Sequence, residues 1–347
     1  VDIRHVASTP SRDALIPELL RCLRGVLADD PAQSGDILVF LPGQAEIARV
    51  SAEIGTLPPG TELLALHGGL GLAEQQRAID PAAPGRRKLV LATNIAETSL
   101  TIEGVGTVVD AGLSREPHYD PGSALTRLRT LRISRASSEQ RVGRAGRLRP
   151  GTCHRLCSAG EQATLAAARE PEILQSDLAP LALALLSWGV SDPAELAWLD
   201  PPPAGAWAQA IALLREAGAI ETGAGSTWRL TPLGERMSAL PMHPRLARML
   251  LGASGAAALE TACALAALLA ERAPPLRGAD VAALLAMLAK EAPCPPAHRG
   301  WADRTRRQAA LYRQSLGSSG KGHAAPAIRA ELAGELLALA YPDRIAR

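Results

Sequence analysis

Through residue 158 the apolar positions alternate between two periods. VDIRHV at the start reads as a strand, and residues 14–28 place Leu15, Leu19, Leu20, Leu23 and Leu27 on one helical stripe. GDILVFLP, residues 35–42, is a continuous apolar run of strand length ended by Pro-Gly, the pattern of a parallel strand buried on both faces. GQAEIARVSAEIG follows as an amphipathic helix with Ile47, Val50 and Ile54 on one side. The unit then repeats: TELLALHG is a strand, LAEQQRAID a helix, RRKLVLAT a strand and GVGTVVDAGL another. Strands alternating with helices predict a parallel α/β sheet, doubly wound, with ligands at the strand ends.

After about residue 158 the pattern changes. DLAPLALALLSWGV and AWAQAIALLREAGAIE carry helical apolar stripes, and TWRLTPLGERMSAL reads as a short strand or wing entering another helix. Short helices followed by a small hairpin are a winged-helix pattern, ended here by LPMHP. From Pro244 onward, AALETACALAALLAER and ADVAALLAMLAKEA are Ala/Leu-rich helices of a bundle, punctuated by CPPAHRGWADR and RQSLGSSGKGHAAP as loops. Those Ala/Leu stripes are core packing.

Composition narrows the picture. A chain of 347 residues with 47% hydrophobic content can bury a sizeable core in two or three domains. No apolar run is long and charge-free enough to cross a bilayer, and VDIRHVASTPSRD is not a signal peptide, so a cytoplasmic protein with no membrane association is expected. Five scattered cysteines fit reduced thiols. Cys153 and Cys157 lie four apart around His154, but no second ligand pair follows at zinc spacing, and no metal ligand is assigned.

The net charge is only +2, yet it is unevenly spread. Between Arg115 and Arg155 stand ten arginines against three acids, Glu116, Asp120 and Glu139. Such a basic block points to a polyanionic partner. With 34 arginines and three lysines in the chain, the choice of Arg within the block carries no weight by itself. Aromatics are 3% of the chain, so base-stacking platforms are not expected, and contact would run through phosphate and sugar with little sequence specificity.

Three segments crowd polar side chains at the ends of predicted strands. In LVFLPGQAEI, Gly43 and Gln44 stand at a helix N-terminus, where exposed N–H groups can hold phosphate. In LVLATNIAETSLTIEGVGTVVD, Thr93, Asn94, Glu97, Thr98, Ser99, Thr101 and Glu103 place seven polar groups in eleven positions, more than capping uses. In ASSEQRVGRAGRLRP, Gln140, Arg144 and Arg147 are spaced by four and three, which predicts one helical face bearing an amide and two guanidinium groups. Planar cationic donors suit phosphate oxygens, above all a transferring γ-phosphoryl group. Gly143 and Gly146 cost such a helix about 1 kcal/mol each and predict close approach of another backbone or a nucleotide.

LVFLPGQAEI, LHGGL, ATNIAETSLTIEGV and QRVGRAGR resemble motifs IV, IVa, V and VI of superfamily 2 helicases in their order, and ATNIAETSLTI resembles the DEAH-box RNA helicase group. Downstream, PEILQSDLAPLALALLSWGV, LDPPPAGAW, LTPLGERMSALPMHPRLARMLL and LALAYPDRIAR resemble the C-terminal regions of bacterial HrpB-type members. The resemblance implies a second RecA-like domain over 1–158, a winged helix over 159–241 and a ratchet-like helical bundle over 242–347. It implies that Gln140, Arg144 and Arg147 face the phosphates of ATP, with both arginines as fingers, and that Ser99, Thr101, Glu103 and Gly143 lie on the ATP side. Glu103 stands where an aspartate is expected. It further implies RNA-backbone contacts from Thr93, Asn94 and Gly43, and a β-hairpin over Val108–Ile133 that presents Arg115, Arg127, Arg129 and Arg132 to RNA.

There is no GxxxxGK[ST] loop and no Asp-Glu-Ala-His stretch in the 347 residues. By the resemblance both lie on a first RecA-like domain that would also hold Mg2+, so this chain alone is expected not to turn over. The expected partner is single-stranded RNA or a duplex with an overhang, with DNA left open because phosphate contacts do not separate the two, and the expected state is monomeric. The competing reading is a non-catalytic nucleic-acid-binding or regulatory module.

Overall fold

Six parallel strands, in the order β1-β8-β5-β2-β4-β3, form the sheet of the first half of the chain. They are β1 (Asp2–His5), β2 (Asp36–Phe40), β3 (Thr61–Leu66), β4 (Arg87–Ala92), β5 (Val105–Asp110) and β8 (Thr152–Arg155). The computed structural model describes residues 1–29, 35–98, 100, 102–120, 125–147, 150–223, 227–270, 280–317 and 327–344. These fall into two compact units, Val1–Ser176 and Asp177–Arg347.

The run DILVF explains the centre of the sheet. Every residue of β2 is buried. Ile37 and Val39 pack with Leu19 and Leu23 of α1 (Leu15–Asp29) and Val50 of α2 (Gln44–Glu53), while Leu38 and Phe40 belong to a second core. That second core includes Ala78 of α3 (Leu72–Ile79) and Val142 of α4 (Arg135–Val142). A strand covered on both faces has no use for alternation, and each fully buried Leu or Ile contributes about 1.5–3 kcal/mol.

Two features of this unit depart from the pattern reading. Residues of GTCHRLC form β8, inserted between β1 and β5. Four residues containing His154 and Arg155 give no apolar run, so only the pairing reveals the strand. The hairpin is β6 (Leu113–Asp120) with β7 (Leu125–Arg132), shorter than Val108–Ile133, because Val108, Val109 and Asp110 belong to β5 in the main sheet.

The short α5 (Ala159–Ala163) follows β8 in the first unit, and the second unit begins with α6 (Ala179–Ser187) and α7 (Ala204–Glu216). A two-stranded antiparallel pair, β9 (Ile220–Thr222) with β10 (Trp228–Leu230), leads into α8 (Pro232–Ser238). Gly234 is obligatory there, since a Cβ would stand 2.0 Å from the carbonyl oxygen of Ala219. The rest is helical: α9 (Pro244–Gly252), α10 (Ala256–Ala270), α11 (Val281–Ala289), α12 (Arg299–Ser315) and α13 (Ala333–Ala340). Every residue of α10 from Thr261 to Leu268 is buried, and its side chains share one core with α9, α11, α12 and α13.

Helix α12 corrects the reading of CPPAHRGWADR and RQSLGSSGKGHAAP as loops, since Arg299–Arg304 and Arg313–Ser315 are helical. Trp301, Ala302, Thr305, Ala309 and Tyr312 form its buried stripe. Five arginines in 17 residues mask that stripe in the sequence.

Candidate functional site

The carboxyl ends of β2, β3 and β4 carry three adjoining turns. After β2, Gly43 caps α2 in an extended conformation, and a Cβ there would lie 2.6 Å from the Arg115 guanidinium, which pairs with Glu46 at 3.0 Å. After β3, the Nδ1 of His67 accepts the Gly69 N–H at 3.2 Å, and a Cβ on Gly69 would lie 2.7 Å from the Gln44 amide. Burial holds the His67 pKa below its ordinary value, which keeps that acceptor neutral. After β4, half-buried Thr93 donates its N–H to Leu66 O at 3.1 Å, and exposed Asn94 opens a single 3₁₀ turn closed by Glu97. Thr93, Asn94 and Gly43 therefore share one edge of the sheet.

Helix α4 starts on Ser134, whose hydroxyl accepts the Ser137 N–H at 3.1 Å. It ends at Val142, which corrects the single helical face expected for Gln140, Arg144 and Arg147. Gln140 lies in the last turn and is exposed; Arg144 and Arg147 follow in the turns beyond it. Gly143 has an ordinary helical φ of −63°, and a Cβ there would meet only its own helix at 3.4 Å, so no close approach of this chain's own backbone requires glycine there. Gly146, at φ 77°, does need glycine. Gly151, unnoticed in the sequence, is packed against backbone here: a Cβ would lie 2.6 Å from Gly146 N and 2.9 Å from Gly106 O.

The two arginines differ sharply. Arg144 is 6% exposed and its guanidinium donates to the carbonyls of Glu97 (3.1 Å), Thr98 (2.7 Å) and Leu100. Burial, reinforced by the like charge of Arg147, lowers its pKa from the usual guanidinium value. Arg147 is exposed, and among the described residues its hydrogen bond is to Gly143 O, at 3.4 Å. The segment QRVGRAGR is thus fastened to the turn after β4 by Arg144 and offers Arg147 and Gln140 to solvent.

Sequence reasoning passed over Arg141, the largest fully buried side chain of the chain's described residues. Its guanidinium pairs with Glu97 at 3.0 Å and Asp110 at 2.8 Å, donates to Leu113 O at 3.3 Å and lies 4.8 Å from the centre of the Phe40 ring. Burial alone would lower its pKa, but Asp110 and Glu97 outweigh it and raise the value. A carboxylate ending the apolar strand VGTVVD was the one signal available for this cluster.

The hairpin register splits its arginines between two faces. Arg115 and Arg132 lie on one face and are paired with Glu46 and Glu161. Arg127 and Arg129 lie on the other, opposite His118 and Glu116, exposed and without an ion pair among the described residues. Tyr119, also on β6, lies by the same alternation on the face of Arg115 and Arg132.

Ser99 and Thr101 lie outside the described residues, as does Arg149. Glu103 is exposed just before β5, at the amino end of the sheet and so on the opposite edge from Thr93 and Asn94. Among the described residues no three His, Cys, Asp or Glu side chains converge on a metal site, and no helix is long and apolar enough to cross a membrane. Exposed guanidinium and amide donors with no acidic cluster suit the oxygens of a phosphate group.

Residues 16–149 match the family described as helicase conserved C-terminal domain. The chain is 50% identical over 248 residues to the ATP-dependent RNA helicase HrpB of Escherichia coli K12, covering 71% of this chain and 30% of that protein. It is 40% identical over 253 residues to the probable ATP-dependent RNA helicase DHX34 of Homo sapiens, covering 72% of this chain and 22% of that one. The crystal structure of the Escherichia coli DEAH/RHA helicase HrpB superposes with a TM-score of 0.84 at 39% identity, over 100% of this chain and 41% of the solved one. This chain therefore spans less than half the length of these relatives.

Proposed function

Because the chain belongs to the DEAH-box RNA helicase family, we propose that it supplies the RNA-gripping and phosphate-facing part of an ATP-dependent RNA helicase. In this reading residues 1–158 are the second RecA-like domain, 159–241 a winged helix and 242–347 a ratchet-like bundle. The observation that carries the function is the joining of QRVGRAGR to the turn after β4 by Arg144, which leaves Arg147 and Gln140 exposed beside it. ATP supplies the phosphoryl group whose transfer drives the cycle, and Mg2+ belongs to the first RecA-like domain. Arg147 reaches a γ-phosphate from its exposed turn, and Arg144 does so after giving up its carbonyl bonds. Ser99, Thr101, Glu103 and Gly143 complete the ATP side. Thr93, Asn94 and Gly43 hold the RNA backbone, and Arg127 and Arg129 meet its phosphates along the hairpin.

One observation favours the competing binding module: the donors of Arg144 are already spent on three carbonyls. RNA-stimulated ATP hydrolysis by a protein that also carries the first RecA-like domain separates the two. Arg147→Ala is expected to lower kcat by about a thousandfold with RNA binding retained, the effect of losing an arginine finger. Unchanged turnover, with only RNA affinity reduced, would favour the module.

A further inference from the structure

Arg141 is not among the residues proposed to face phosphate, yet it is the most completely buried charge among the described residues of the first unit, at 0% exposure. Burying a guanidinium is costly unless it is paired and hydrogen-bonded. Its partners come from separate places: Glu97 in the turn after β4, Asp110 at the end of β5 and the carbonyl of Leu113 at the start of β6. Arg141 itself sits on α4.

The network continues outward on both sides. The carboxylate of Glu97 also accepts the Ser137 hydroxyl, and its backbone carbonyl holds Arg144. Asp110 also accepts the N–H of Gly112, a residue at φ 68° that turns the chain into the hairpin, and Gly112 O receives the Ile133 N–H as the chain leaves it. The planar fork of an arginine can bridge two carboxylates in this way; a lysine presents a single point charge.

We propose that Arg141 is a positioning residue that ties the root of the β6–β7 hairpin to the turn after β4, so that the two move as one. The functional consequence rests on the reading above, in which that turn is phosphate-facing and the hairpin meets RNA. The linkage itself does not.

Amide hydrogen exchange on this chain, with no nucleotide or RNA present, tests it. The Glu97 carboxylate bonds Ser137 and Arg141, and among the described residues it has no hydrogen bond or ion pair to β6 or β7. Glu97→Gln is therefore expected to speed exchange at Gly112 and Ile133 about tenfold, a local opening transmitted through Arg141. Arg141→Lys speeds both on its own, and adding Glu97→Gln to it brings no further change, the non-additivity of groups in one network. Exchange that rises only over residues 94–98 in Glu97→Gln overturns the proposal. So does a rise shared equally by the core amides of β2, which would report global destabilisation. If Arg141→Lys does not fold, Glu97→Gln still decides. Failure here leaves the ATPase test untouched, and failure there leaves this one standing.

Discussion

The two ends of the six-stranded sheet each bury an ion cluster, and the clusters solve different problems. At the amino end, Lys88 and Asp36 pair at 3.7 Å, and the ammonium donates to Ala78 O at 2.9 Å and to Asp80 O. The Lys88 N–H is held by Asp36 at 2.7 Å. That lysine caps the C-terminus of α3 as a point charge, with one carboxylate beside it. At the carboxyl end, Arg141 faces two carboxylates and joins a turn, a strand end and a hairpin root. The amino end secures one helix; the carboxyl end ties together segments from three different places in the chain. Cation type follows from the task, since the guanidinium spreads five donors over a planar fork that can bridge two carboxylates, whereas the ammonium is a single point charge with three.

The sharpest way to break this comparison is to remove each cation. Arg141→Met strands the buried Asp110 and the half-buried Glu97 and is expected to cost about 3–5 kcal/mol by chemical denaturation, the range for breaking a buried pair. Lys88→Met should fall below that. Asp36 alone is stranded, and burial already raises its pKa from the ordinary carboxylate value, so it can take up a proton. Equal losses would show that the number of partners does not matter.

Next in size is the packing beside α4. Gly151→Ala drives a Cβ into Gly146 N and Gly106 O and is expected to cost about 1–3 kcal/mol, as overpacking does. Gly143→Ala, at a helical φ with room for a methyl group, should be neutral or raise stability by up to about 1 kcal/mol. Thermal unfolding of both variants decides whether Gly151 or Gly143 shapes the turn that carries Arg144 and Arg147.

A milder pair in the second unit sharpens the point about charge. Asp177 accepts from His243 Nε2 at 3.0 Å and from the Ala179 N–H at 2.9 Å. Burial pushes its pKa up, but these hydrogen bonds outweigh it and leave the value below that of an ordinary aspartate. A carboxyl with a depressed folded pKa stabilises fully above its unfolded value and loses that contribution as pH falls toward the folded one. Stability should therefore drop below about pH 4, the ordinary Asp range, and Asp177→Asn should flatten that acid slope in a pH series of unfolding curves.

The smallest effects on stability belong to the exposed hairpin face. Arg127→Ala and Arg129→Ala should change unfolding by no more than about 0.5 kcal/mol, while each lowers the slope of log affinity for single-stranded RNA against log salt by about 0.7. A stability loss without a change in salt slope would make these arginines structural, like their paired neighbours Arg115 and Arg132.

Much of the first unit is legible along the chain. DILVF and KLVLA are continuous apolar runs because a parallel strand with helices on both faces has no solvent side, and that burial is written locally. Thr93, Asn94 and Gly43 are equally visible, since polar residues directly after such runs have to sit at the strand ends. β8 is not visible, because TCHR becomes a strand through its neighbours β1 and β5 rather than through its own pattern. Nor is α12, whose apolar stripe is crowded by arginines that make their own contacts, such as Arg306 with the carbonyls of Met287 and Leu288.

The spacing of Gln140, Arg144 and Arg147 determined that an amide and two guanidinium groups would gather in one place, because residues three and four apart stay close whether or not the helix continues. It did not determine that the helix stops at Val142, that Arg144 turns inward to three carbonyls or that Arg141 is swallowed whole. Those outcomes depend on partners up to 47 positions away, Glu97 above all. A guanidinium looks the same in sequence whether it is solvated or buried, and only the folded chain shows which arginines have found acceptors.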